Sequence, residues 1–243
     1  MSDKKSVVLG ILGGLGPLSS AYFYEMITLH TYAMKDQDHI DIVLSSRSTT
    51  PDRTDFILGR SNEDPSPLMI EEIEKLVSYG ADYIAIPCNT AHYFYDKLIE
   101  KSNVPILNMV SDTVEYCVNS GAKKIGVLAT QGTVGAGIYD KVCKEMGVEC
   151  YTPSKDCQDA VTRVIYDQIK TGRTASADDF KIMETELKNE GCDLAILGCT
   201  ELSVAKNQLG LDSWYLDALE VLAAKAIVVC GKQPIGFDNL KLF

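Results

Sequence analysis

The chain has 243 residues, 46% hydrophobic and 23% charged, an ordinary globular composition that can bury a core in one large or two small domains. Its 34 acidic residues against 23 Lys and Arg leave a net charge of −11. That balance argues against a nucleic-acid surface or an anionic membrane as partner, and it requires local cations wherever an anionic substrate binds.

Lys4 and Lys5 ahead of an apolar run at 7–12 have the outline of a secretory leader, but Gly13, Gly14, Gly16 and Pro17 break the run too early. No stretch is long enough to span a bilayer, and the expected location is the cytoplasm. Eight cysteines, no CxxC spacing and three histidines point to reduced thiols, not to a disulfide framework or metal centre. Cys117, Cys143, Cys150, Cys157, Cys192 and Cys230 read as small core hydrophobes.

In chain order, residues 7–12 read as a buried parallel strand running into the glycine turn at 13–17, with Ser19 or Ser20 capping a helix over 20–32. The turn resembles half a dinucleotide fingerprint, but G-x-G-x-x-G is not met. A second strand covers 40–44. The polar loop 45–53 follows at its carboxyl end, where parallel sheets place ligands. Arg53 in that loop has a plain reading as a surface salt bridge with Asp52 or Asp55, and Arg47 in the same loop adds a cation near the mouth of the expected site. A helix ends at Tyr79 before Gly80. A strand over 83–86 leads to Cys88, Asn89 and Thr90 are N-cap types for a helix to about Lys101, and strand 104–107 ends at Asn108. A helix over 111–119 follows. The pattern then restarts: strands at 124–128, 148–151, 194–197 and 213–216, helices at 158–171 and 178–190, and a last helix at 218–229.

Two stretches are versions of each other. Shifting by 111 positions places Gly80 on Gly191, Asp82 on Asp193 and Cys88 on Cys199. The expected fold is therefore α/β: two similar, pseudo-symmetric domains, each a roughly four-stranded parallel sheet flanked by helices, with the active site in the cleft between them. The expected domains are 1–110 with 214–243, and 111–213.

Each cysteine follows a strand and precedes a helix, where the positive dipole end is expected to lower a thiol pKa. Facing each other across a cleft, one sulfur could remove a proton from a carbon and the other return one to the opposite face. Taken singly, each cysteine reads as an inert strand-end residue; taken as a pair, they read as acid and base.

Pro87-Cys88-Asn89-Thr90-Ala91-His92 and Gly198-Cys199-Thr200-Glu201-Leu202 resemble the two signature motifs of the aspartate/glutamate racemase family. The turn at 13–17 and Pro51-Asp52-Arg53-Thr54 resemble its aspartate racemase branch, although Leu15 stands where methionine is common and the loop before Pro51 lacks an Asn-Pro-rich stretch. The resemblance implies a homodimer working on a small acidic amino acid without pyridoxal phosphate or another cofactor. It implies Cys88 and Cys199 as the catalytic pair, with Arg53 and Lys170 on the distal carboxylate. Asn89, Thr90 and Thr130 are candidates for the α-carboxylate or amino group, and Leu15, Thr200 and Glu201 complete the expected substrate contacts. Glu201 could instead act on the Cys199 thiol, and His92 reads as a packed or exposed helix residue. Two competing readings keep less of this: a paired-cysteine racemase or isomerase for a hydantoin or another carboxylate, and a non-catalytic binding protein for acidic amino acids.

Overall fold

The computed structural model describes residues 6–237, so Lys4, Lys5 and the outer ends of the first expected domain lie outside the described residues. Its first sheet is parallel and holds β1 (Val8–Gly13), β2 (Asp41–Ser46) and β3 (Tyr83–Ala85) in the order β2-β1-β3. The second, also parallel, holds β4 (Lys124–Ala129), β5 (Glu149–Tyr151), β6 (Leu194–Gly198) and β7 (Tyr215–Asp217) in the order β5-β4-β6-β7. Each half therefore sets its first strand between its second and third, and the repeat in sequence is a repeat in topology.

The expected fourth strand of the first half shrinks to one parallel bridge between Ile84 and Ile106. The reason is local. Pro105 has no N–H to give a ladder, so only its carbonyl takes part, accepting from Ile84 N at 2.9 Å. In the second half, β7 pairs in full with β6. The strand at 215–217, grouped by sequence with the first domain, thus lies in the second sheet.

The helices follow from caps and breakers. α1 (Pro17–Leu29) begins on a proline after Gly16. Ser20 is not its cap: the Ser20 hydroxyl sits inside the helix, accepting from Gly14 N and donating to the Gly16 carbonyl. Gly14 has φ +79, and a Cβ there would meet the Arg47 backbone at 2.4 Å, so the turn needs glycine. α2 (Arg53–Ile57), capped by Asp52, forms inside the loop after β2, and α3 (Ser66–Ser78) precedes β3. α4 (Tyr95–Lys101) and α5 (Met109–Asn119, capped by Asn108) complete the first series. The second contains α6 (Gln131–Gly135, capped by Thr130), α7 (Ile138–Met146), α8 (Lys155–Thr162), α9 (Ala177–Asn189) and α10 (Thr200–Leu209), then α11 (Ala218–Val229). After α8 the chain winds as a π-helix over Arg163–Gln168 and a tight turn over Ile169–Thr171, where the sequence predicts plain α-helix to 171.

The main core joins the two sheets. Leu9 and Ile11 of β1, Ile125 of β4, Val114 of α5 and Leu222 of α11 belong to one buried cluster. α11 is apolar over most of its surface, with eight of its twelve residues buried and one side open at Glu220, Lys225 and Val228, and it packs against α1 and α5. Among the described residues no helix is long and apolar enough to cross a membrane.

Asp217 caps α11 from a fully buried position, accepting from Leu219 N at 2.8 Å and Ser203 Oγ at 2.7 Å. Burial, then the charge of Glu220, pushes its carboxyl up to about 7. Between roughly pH 4 and that value the folded chain holds a proton that the unfolded chain has released, so this group's contribution to stability falls as pH rises. Asp217→Asn keeps an acceptor and removes the titration. Its melting temperature relative to wild type should rise between about pH 5 and about pH 8; a constant difference would refute the assignment.

Candidate active site

The site forms where β3 and β6 end toward each other. After β3 the chain turns tightly, with Cys88 N donating to the Ile86 carbonyl at 2.7 Å, and then enters a short 3-10 helix over Thr90–Phe94. Cys88 is 7% exposed. Cys199 follows β6 directly as the N-cap residue of α10 and is 6% exposed. Both line one cavity of about 20 Å³, enough for about one water. Leu15, Arg53, Asn89, Thr90, Thr130, Lys170, Thr200 and Glu201 line it too, so every candidate named from the sequence meets at this one place.

Glu201 sits against the second thiol, with Cys199 Sγ donating to its Oε2 at 3.0 Å. The helix end was expected to lower this thiol. Instead burial, then the Glu201 carboxylate, push it well above the ordinary value, and Cys199 rests as a thiol. The other Glu201 oxygen is 3.9 Å from Lys170 Nζ. Burial alone would depress the Lys170 ammonium, but opposing negative charge, that of the Glu201 carboxylate beside it first, raises it, so it stays charged.

Arg53, at the start of α2, is only 9% exposed. Its Nη1 donates to the Thr50 carbonyl at 3.3 Å and the Pro51 carbonyl at 3.0 Å, and Nη2 to the Leu15 carbonyl at 2.9 Å. Its Nε is buried without a partner. The plain reading as a salt bridge with Asp52 or Asp55 is not met: Asp52 caps α2 and Asp55 lies 3.7 Å from Arg60. Arg47, expected as a cation near the mouth, instead pairs with Glu71 and Glu72 of α3 at 3.0 and 2.8 Å.

Asn89 stands at the N-cap position of the 3-10 helix, but its side chain makes no capping hydrogen bond. It is 2% exposed, its Oδ1 accepts from Tyr139 Oη at 2.6 Å, and its Nδ2 has no partner. Thr90, Thr130 and Thr133 close a triangle of hydroxyls at 2.9–3.0 Å, joining the two halves beneath the cavity. His92 packs behind Cys88, its Nδ1 bonding to the Cys88 carbonyl at 2.9 Å while Nε2 accepts from Met109 N at 3.1 Å. Burial lowers its pKa, so the ring is a neutral buttress.

Sequence reasoning passed over three lining residues, Asp52, Thr54 and Tyr166. Tyr166 lies on the π-helix, which brings its ring under Lys170 Nζ at 4.5 Å from the centroid. A larger cavity of about 400 Å³ adjoins the inner one, sharing Asp52, Arg53, Lys170 and Glu201 with it.

The cavity thus lies between two parallel α/β halves and takes one thiol from each. The model of the Asp/Glu/hydantoin racemase family matches residues 12–240. The broad-specificity amino-acid racemase RacX of Bacillus subtilis is 28% identical over 225 residues, 90% of this chain and 96% of that protein. A glutamate racemase of Limosilactobacillus reuteri is 25% identical over 199 residues, 78% of this chain and 72% of that one. Picrophilus torridus aspartate racemase superposes with a TM-score of 0.80 at 29% identity, covering 94% of this chain and 96% of that structure. The chain belongs to the Asp/Glu/hydantoin racemase family and is an amino-acid racemase.

Proposed function

We propose that this racemase inverts the Cα of an acidic amino acid, aspartate first and glutamate second, using Cys88 and Cys199 as acid and base and no cofactor. The observation that carries the reading is Arg53, a buried guanidinium whose partners are all neutral carbonyls, in one cavity with two thiols. A buried cation without a counterion is unfavourable, and a distal substrate carboxylate would supply the missing charge. Lys170 adds a second cation from the other half. Asn89, Thr90, Thr130 and Thr200 offer hydrogen bonds to the α-carboxylate and ammonium, while Leu15 fixes Arg53 through its carbonyl.

In one direction Cys88, as thiolate, takes the Cα proton: an S–H bond forms, the C–H bond breaks, and the electron pair spreads into the α-carboxylate. Cys199 then delivers its own proton to the opposite face. In the reverse direction Cys199 must begin as thiolate, and Glu201, 3.0 Å from its sulfur, is the base placed to take that proton. Substrate entry requires the inner cavity to widen. Its walls toward the larger cavity are α2, which carries Arg53, and the segment carrying Lys170.

The same reading takes the halves as 1–110 with the last helix from 218 onward, and 111–217, which keeps β7 in the sheet it pairs with, in a cytoplasmic homodimer. Leu18, Tyr24 and Leu29 of α1 are exposed beside a groove of about 630 Å³, which supports self-association.

The test is incubation with L-aspartate, then L-glutamate, then L-alanine in deuterated water without added cofactor. Loss of the Cα–H resonance together with loss of optical activity is expected for aspartate. Activity on alanine but neither acidic substrate would overturn the substrate class, and inertness toward all three would overturn the reaction.

A further inference from the structure

Tyr139 belongs to the second half and Asn89 to the first, yet the Tyr139 hydroxyl donates to Asn89 Oδ1 at 2.6 Å in the interior. Tyr139 is 2% exposed, and burial keeps its hydroxyl protonated. An asparagine amide offers one acceptor oxygen and a donor NH₂. With the oxygen held by Tyr139, the group left for the cavity is Nδ2, and Nδ2 has no partner. A buried donor left unpaired is disfavoured and marks a place for a ligand acceptor. In an amino-acid zwitterion the acceptors are carboxylates. Arg53 and Lys170 account for the distal one, which leaves the α-carboxylate for Nδ2. The reversed amide would present its oxygen and favour the ammonium instead.

The tyrosine ring is itself held in place. A Cβ on Gly198 would lie 3.1 Å from Tyr139 Cε2, so the ring packs against the residue immediately before Cys199.

We propose that Tyr139 is a positioning residue: it fixes the Asn89 amide so that Nδ2 donates to the substrate α-carboxylate, and it ties this contact to the half that carries Cys199. The inference rests on the amino-acid reading above and goes beyond it by naming the group that orients the first half's contact from the second.

The experiment compares wild type, Tyr139→Phe, Asn89→Ala and the double variant for aspartate racemisation. It also measures inhibition by β-alanine, which is aspartate without its α-carboxylate. Tyr139→Phe should raise the aspartate KM about tenfold. β-Alanine inhibition should stay within about twofold, and the double variant should lose no more than Asn89→Ala alone. An unchanged aspartate KM overturns the proposal, as does equal weakening of β-alanine or a double loss that is the product of the single ones. Should Tyr139→Phe not fold, 3-fluorotyrosine at position 139, which keeps the hydroxyl but acidifies it, must shift the aspartate KM and spare β-alanine; no shift there overturns the proposal. A wild-type protein that inverts no amino acid overturns the underlying reading and this one with it, a different outcome from an active wild type indifferent to Tyr139.

Discussion

Serine in place of Cys88, or of Cys199, should lower the rate of aspartate inversion by about 10³-fold or more. A hydroxyl is far too weak an acid to rest as the alkoxide, so it cannot replace a thiolate base in the 20 Å³ pocket that both sulfurs line. The two variants should fail in complementary ways. The sulfur that remains can still remove a proton from the enantiomer whose Cα–H faces it, and return deuterium to the same face. Residual Cα–H exchange without inversion should therefore be confined to one enantiomer in Cys88→Ser and to the other in Cys199→Ser. Solvent exchange followed by proton resonance on each pure enantiomer decides this. The same enantiomer exchanging in both variants would refute sulfurs on opposed faces, and full inversion in either would refute the pair.

Arg53→Lys should raise the KM for aspartate by about 10²-fold while changing the KM for a neutral amino acid far less. The substitution keeps the charge but not the fork. Three N–H groups of Arg53 already serve the Leu15, Thr50 and Pro51 carbonyls, and a guanidinium has five. An ammonium has three donors at a single point and cannot satisfy those carbonyls and a substrate carboxylate together. A lower melting temperature should accompany the loss, because α2 is tied to the Leu15 turn through this side chain. An unchanged KM ratio between aspartate and alanine would remove Arg53 from substrate recognition.

Much of this architecture was legible in the residues. Short apolar runs ending in glycine or cysteine gave the parallel strands, and the 111-residue shift brought Cys88 and Cys199 to equivalent strand ends. Partnerships set by tertiary contact were harder to read. Nothing near Arg47 marks it as the partner of Glu71 and Glu72, whereas the bare Asp52-Arg53 neighbourhood suggests a salt bridge that does not form. Val161, Val164, Ile165 and Ile169 fit an α-helical face, and all four are buried. The extra residue per turn at 163–168 shows only in the hydrogen-bond pattern, so Tyr166 escaped notice. Tyr139 is 50 positions from Asn89, and no local period links them. The raised pKa of Cys199 is hidden from the sequence for a related reason: its place at a helix start is local and visible, while its burial is not.

Glu201 touches the thiol of one half, and the matching position of the other half, Thr90, carries no charge. Enantiomers have equal free energy in water, so the reaction they share has an equilibrium constant of one. For a reversible one-substrate enzyme, kcat/KM must then be identical in the two directions, however lopsided the site. The single carboxylate can alter only how that common ratio is divided. If Glu201 makes one hand turn over faster, that hand must also saturate at a proportionally higher concentration. The site's asymmetry would then appear as a concentration-dependent preference, absent when substrate is scarce and plain when it is abundant.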